Sequence, residues 1–204
     1  MKNVLLIGDS IRLGYDKSVR KTMEHEVNVY FPEDNCRFAN YVLRYLHEYK
    51  ELLGGETADV IHWNAGLWDC LHLFEEEANT PLDIYAYYIE RICVRMKKLF
   101  PEAKVIFATS TSVQTELMDK DHKRYNEEIE IYNKIAVDVV SKYGFMINDL
   151  YQVSIGLPEE AHSDPVHYYT SIGTKAFTEQ VVSCLASMLD IEKKLEYKEV
   201  LCEI

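Results

Sequence analysis

Short apolar or β-branched runs alternate along the chain with longer stretches in which apolar residues recur every three to four positions. The short runs are residues 3–8, 26–31, 59–64, 104–109 and 145–150, each bounded by polar residues, glycine or proline. Five strand signals separated by helix signals, without a linker, a repeat or a low-complexity tract, predict an α/β domain built on a five-stranded parallel sheet.

The helical stretches carry their own boundaries. Residues 38–49 set Phe38, Val42, Tyr45 and Tyr49 on one face. Ile84, Tyr88, Ile92, Met96 and Leu99 form the next face, with Thr80 placed to cap the helix, Pro81 at its first position, Asp83 in its first turn and Pro101 past its end. A third helix is expected over residues 124–143, stopped by Gly144. The last runs from Ser171 to Leu189 behind a Thr170 cap, with Ala176, Phe177, Val181, Cys184, Leu185 and Met188 inward. One domain over residues 1–190 is expected, followed by a charged tail, 191–204, that suits a further turn, a frayed end or a contact.

Composition narrows the class. In 204 residues, 48% are hydrophobic and 27% charged, which is ordinary for a globular domain. The net charge of −12 repels phosphate backbones and anionic lipid, so neither nucleic acid nor a membrane surface is an expected partner. The apolar run at residues 4–7 is too short for a signal-peptide core or a span, which predicts a cytoplasmic protein. Five cysteines, Cys36, Cys70, Cys93, Cys184 and Cys202, show no CxxC spacing and read as reduced, structural thiols.

Ligands of an open parallel sheet sit at the carboxyl ends of its strands. Four segments bring reactive side chains there: Gly8-Asp9-Ser10, Asp34-Asn35, Asn64-Ala65-Gly66-Leu67-Trp68-Asp69, and His162 to His167 before the last helix. Ser10 follows a strand and opens a helix, where its hydroxyl serves either as an N-cap or as a nucleophile. Asp164 and His167 are three apart, a spacing at which a turn sets a carboxylate beside an imidazole. His162 with that pair could also bind a metal, but the set lacks a further ligand, and chemistry without metal or cofactor is preferred. His62 lies inside a strand and reads as a satisfied core histidine, Glu75-Glu76-Glu77 as a solvated face. Arg12 and Arg37 either hold a substrate carboxylate or pair with acidic neighbours, and Tyr15, Tyr168 and Tyr169 stand near enough to the motifs to line a pocket.

Gly8-Asp9-Ser10 at one end and Asp164-Pro165-Val166-His167 at the other resemble the first and last blocks of the SGNH (GDSL-type) hydrolases, a likeness that spans nearly the whole chain. The resemblance implies a flavodoxin-like three-layer sandwich and ester hydrolysis in which Ser10 attacks, His167 takes its proton and Asp164 orients His167. The family's Gly-x-Asn-Asp block falls on Gly66-Leu67-Trp68-Asp69, so Trp68 stands where the oxyanion-binding asparagine is expected and Asn64 is the substitute. The second block, residues 35–40, has no glycine, but any residue except proline keeps an N–H. The expected oxyanion hole is therefore Ser10, Asn64 and the loop carrying Asn35 and Ala39, with Asp9, Gly66, Trp68, Asp69 and Tyr168 around the substrate.

The resulting expectation is a cofactor-independent serine esterase removing a short acyl group, acetyl above all, from a carbohydrate or similar small polar molecule. A lysophospholipase or thioesterase of the same family, and a flavodoxin-like module that binds a sugar or acyl ligand without turnover, are the alternatives. Oligomeric state is not legible.

Overall fold

The computed structural model describes residues 1–202. In chain order it contains β1 (Lys2–Ile7), α1 (Ser10–Leu13), α2 (Asp16–Thr22), β2 (Val27–Tyr30), α3 (Ala39–Glu51), β3 (Val60–Trp63), β4 (His72–Leu73), α4 (Leu82–Leu99) and β5 (Lys104–Ala108). Then follow β6 (His122–Lys123), α5 (Asn126–Ser141), β7 (Met146–Asn148), α6 (Leu150–Ile155) and α7 (Ser171–Leu189).

Five strands form one all-parallel sheet in the order β2-β1-β3-β5-β7. Burial follows position in that order. Val4 to Ile7 of β1 and all of β3 are buried, because both strands have neighbours on each side and helices on each face. The edge strand β2 alternates buried Val27 and Val29 with exposed Asn28. The chain leaves β1 in one direction and returns across the sheet in the other, so right-handed crossovers put its helices on opposite faces. Helices α3, α4 and α5 pack side by side in one layer, and α2, α6 and α7 meet in the second. The order reverses between β1 and β3, whose carboxyl ends therefore flank the crevice of the fold. Ser10 follows one of these strands and Asn64 the other.

Several boundaries differ from the pattern-based expectation. Pro81 has extended backbone (ψ 149), so it stands outside α4, and Thr80 is not the cap. The inward stripe of α4 is Tyr85, Ile89, Ile92, Cys93 and Met96, while Ile84 is exposed. Tyr85 can be buried because its hydroxyl donates to Ala65 O at 2.8 Å. Helix α5 starts at Asn126 rather than 124, because residues 122–123 form a strand that pairs antiparallel with β4. Strand β7 ends at Asn148, and Leu150 opens α6 behind the Asp149 cap. The Thr170 cap of α7 holds, its hydroxyl accepting Gly173 N–H at 3.1 Å.

The tail, of which residues 203–204 lie outside the described ones, runs back over α2 at Lys198 and Val200. The Ser18 hydroxyl accepts Val200 N–H at 2.8 Å and donates to Val200 O at 3.0 Å, while Thr22 accepts Lys198 N–H at 3.0 Å. Cys36, Cys70 and Cys93 are buried thiols. Among the described residues no helix is long and apolar enough to cross a membrane.

Candidate active site

The turn after β1 is built by Asp9. Its carboxylate accepts Ile11 N–H at 3.0 Å and caps α1, which leaves the hydroxyl of Ser10 unused by the helix. From the loop before α7, His167 reaches across 157 positions of sequence to set Nε2 2.8 Å from Ser10 Oγ. The other ring nitrogen, Nδ1, is 2.7 Å from Asp164 Oδ2. Asp164 Oδ1 accepts the N–H groups of Val166 and His167 at 2.8 and 2.9 Å, so the turn that brings the pair together also fixes the carboxylate. Partial burial alone would push the Asp164 carboxyl up, but those two N–H groups and the imidazole hold it below the usual carboxylate range.

Behind Ser10 the site is buried. Asp9 is fully buried, and desolvation raises its pKa against the opposing pull of Asn64, Ile11 N–H, Arg124 and His167. Asn64 is buried too, its N–H donating to Ile7 O at 3.0 Å and its amide lying over Gly8. A Cβ at Gly8 would stand 2.0 Å from Asn64 Oδ1, so glycine at this position is what admits the amide beside the turn that carries Ser10.

The second block is occupied differently from the expectation. Ala39 N–H donates to both oxygens of Asp69, at 3.0 and 3.3 Å, and so is not open to a ligand. Asn35 instead accepts Arg37 N–H through its side chain at 2.9 Å. Arg37 itself takes left-handed backbone (φ 47), the conformation glycine adopts most cheaply. Arg12 is buried against Asp16 and donates to Asp34 O at 2.6 Å, and Arg37 lies 3.7 Å from Asp34. Both arginines are thereby engaged within the chain.

Of the five residues expected around the substrate, Trp68 alone keeps an accessible surface. Asp9, Gly66, Asp69 and Tyr168 are buried. Gly66 faces Ser110, and Tyr168 donates its hydroxyl to Ser112 O at 2.9 Å and packs edge-on against Phe177. Tyr15 is buried as well. Asp69 sits between Ala39 and Thr80, and burial pushes its carboxyl up to about 7. His62 is a core histidine, bonded through Nε2 to Asn148 at 3.0 Å, and burial lowers its pKa to about 3. Among the described residues no group of three His, Cys, Asp or Glu side chains has the arrangement of a metal site, and His162 instead lies against the Tyr168 ring, 4.1 Å between centroids.

Of two further residues at the site, Arg124 is not marked by the sequence and Tyr169 is expected from it only as a pocket-lining ring. Arg124 is buried just before α5, with Nε bonded to Leu67 O and its charge felt by Asp9 and Asp164. Tyr169 donates its hydroxyl to Ser10 O at 2.7 Å and stacks on His167, 4.8 Å between centroids. A lone arginine ahead of a helix carries no sequence signal. For Tyr169 the only signal is adjacency to the last block.

No sequence-family model matches the chain, and no curated protein sequence does either. The likeness to known proteins is one of structure. A lipase/acylhydrolase from Enterococcus faecalis superposes with a TM-score of 0.71 at 18% identity, covering 98% of this chain and 100% of its own. An acetyl xylan esterase gives 0.72 at 14% identity over 90% of this chain and 99% of its own. A GDSL-like lipase from Bacteroides thetaiotaomicron gives 0.68 at 16% identity over 91% and 88%. With its five-stranded parallel sheet between two helical layers, the chain has the fold of the SGNH (GDSL-type) hydrolases.

Proposed function

We propose that this protein is a serine esterase that removes a short acyl group, acetyl above all, from an ester of a carbohydrate or similar polar alcohol. The observation that carries the reading is the continuous chain from Ser10 Oγ through both nitrogens of His167 to Asp164, at 2.8 and 2.7 Å. In that arrangement Ser10 Oγ attacks the ester carbonyl as His167 Nε2 takes the hydroxyl proton. Asp164 stays ionised and holds Nδ1–H, which fixes the tautomer and stabilises the imidazolium. The tetrahedral oxyanion is met by Ser10 N–H and the Asn64 side chain. Its collapse expels the alcohol, which receives the proton from His167, and water attacks the acyl-enzyme by the same route. Acetyl xylan esterases and acylhydrolases among the structural neighbours support ester hydrolysis in general, and the acetyl ester of a sugar is taken over from the former as part of the proposal.

A fluorophosphonate that labels Ser10, located by peptide mapping, tests the nucleophile. A pre-steady-state burst with a chromogenic acetyl ester tests turnover through an acyl-enzyme. Loss of rate from acetyl to octanoyl esters supports the short-chain assignment, whereas a rise along that series favours a lysophospholipase or thioesterase. Absence of both label and burst favours a binding module.

A further inference from the structure

Tyr169 touches both partners of the proton transfer. Its ring lies nearly parallel to the imidazole of His167, with centroids 4.8 Å apart and planes 25° apart. Its hydroxyl donates to Ser10 O at 2.7 Å. The ring is seated against Gly14 at the end of α1, where a Cβ would stand 2.8 Å from two of its carbons. One side chain is thus anchored to the backbone of the nucleophile at one end and to the face of the base along its length. The face turned to His167 is not free to stack on a sugar.

We propose that Tyr169 is a positioning residue for the reaction, holding His167 in register with Ser10 and favouring the imidazolium that forms as the proton moves. The inference rests on the esterase reading above. Proton transfer from Ser10 Oγ to Nε2 makes the ring cationic, and a cation beside an aromatic face is stabilised more than a neutral ring. The interaction therefore strengthens toward the transition state, which is the condition for it to raise kcat rather than tighten binding. The groups that face His167 are Asp164 on its own loop, Ser10 on α1 and Asp9 behind it, with Arg124 acting on both carboxylates. Of these, Ser10 alone is hydrogen-bonded to Tyr169, through its backbone oxygen, so changing Tyr169 leaves the charged groups in place.

Three variants test it against a neutral chromogenic acetate over pH. Tyr169→Phe keeps the ring and loses the bond to Ser10 O, so kcat falls about 5- to 10-fold at constant KM with the acid limb of kcat/KM in place. Tyr169→Leu loses the stack as well, so kcat falls about 10²-fold at constant KM and the acid limb moves to lower pH, because the imidazolium has lost a stabilising face. Gly14→Ala leaves Tyr169 intact and fits its own backbone (φ −69), yet drives a methyl into the ring, so kcat falls several-fold without a matching rise in KM. A rise in KM at unchanged kcat in Tyr169→Phe and Gly14→Ala would make Tyr169 a pocket wall and overturn the proposal. So would wild-type kcat in both. If Tyr169→Leu does not fold, the other two decide. Failure of the wild type itself to label or turn over refutes the esterase reading instead, which separates the two failures.

Discussion

Asp69, in the loop after β3, accepts Ala39 N–H at the start of α3 with N···O distances of 3.0 and 3.3 Å. Two loops that rim the crevice are joined by this buried carboxylate, which the Thr80 hydroxyl also serves. The bond explains why Ala39 cannot donate to an oxyanion, and it gives Asp69 a fixing role behind the site in place of a seat in the pocket wall.

That role carries a pH signature. Asp69 is raised to about 7 by burial and by the nearby Asp9, so the folded state holds its proton more tightly than the unfolded chain does. Stability from this group is complete below the ordinary carboxylate range and is lost as pH rises toward about 7. Asp69→Asn keeps an acceptor for Ala39 N–H but cannot ionise, so its stability relative to wild type should improve between about pH 4 and 7, read by urea unfolding. Asp69→Ala leaves the N–H and the Thr80 hydroxyl unpaired and should lose about 1–3 kcal/mol. A parallel pH dependence for wild type and Asp69→Asn would refute the assignment.

Ser10→Ala should abolish turnover and fluorophosphonate labelling while shifting stability by no more than about 0.5 kcal/mol. The small effect on folding follows from Asp9, not Ser10, capping α1. Retention of most of the esterase activity by the purified variant would rule out the nucleophile.

His167→Ala should remove nearly all activity, and Asp164→Asn should leave a folded enzyme slowed by up to about 10⁴-fold, since an amide no longer fixes the required tautomer. Wild-type kcat/KM should fall on acidification, because a protonated imidazole cannot accept the Ser10 proton. The Asp164 carboxyl is held low by the Val166 and His167 N–H groups and the ring, so it stays ionised while the histidine takes up its proton. A rate independent of pH from about 5 to 8 would count against a histidine base. Chelators should leave the rate unchanged, and loss with EDTA that zinc restores would reinstate a metal.

What the sequence made legible were the features encoded locally. The run at residues 4–7 is apolar, and the run at 60–63 apolar but for His62, because their strands are covered on both faces, and the Thr170 cap is a one-residue signal. The order Gly8-Asp9-Ser10 and the spacing of Asp164 from His167 also stand out in one dimension. Contacts made across the fold did not. Nothing near Asp69 foretells Ala39 thirty positions away, and nothing near Tyr85 foretells that Ala65 O accepts the hydroxyl it buries along with Ile89, Ile92 and Met96. The β4–β6 pair has two residues per strand, too few for a period.

The departure of Trp68 from the Gly-x-Asn-Asp pattern leads to the last prediction. An oxyanion needs donors about 3 Å away, and a half-exposed indole offers one N–H on a bulky ring. Asn64 instead follows the strand beside the nucleophile's own, with its amide over Gly8 and close enough to Asp9 to lower that carboxyl's pKa. Among the described residues the amide oxygen has no hydrogen-bond partner and faces Gly8, so the donor side of the amide is the one that can meet an oxyanion. Asn64→Ala should therefore lower kcat by about 10² to 10³ at nearly constant KM, the loss typical of one oxyanion donor. If the partly exposed Trp68 walls the pocket, Trp68→Ala should change KM and the preference among alcohols while kcat for a small acetate stays within a few-fold. The two variants thus separate the donor from the wall, and a fall in kcat for Trp68→Ala with little change for Asn64→Ala would return the oxyanion to the indole.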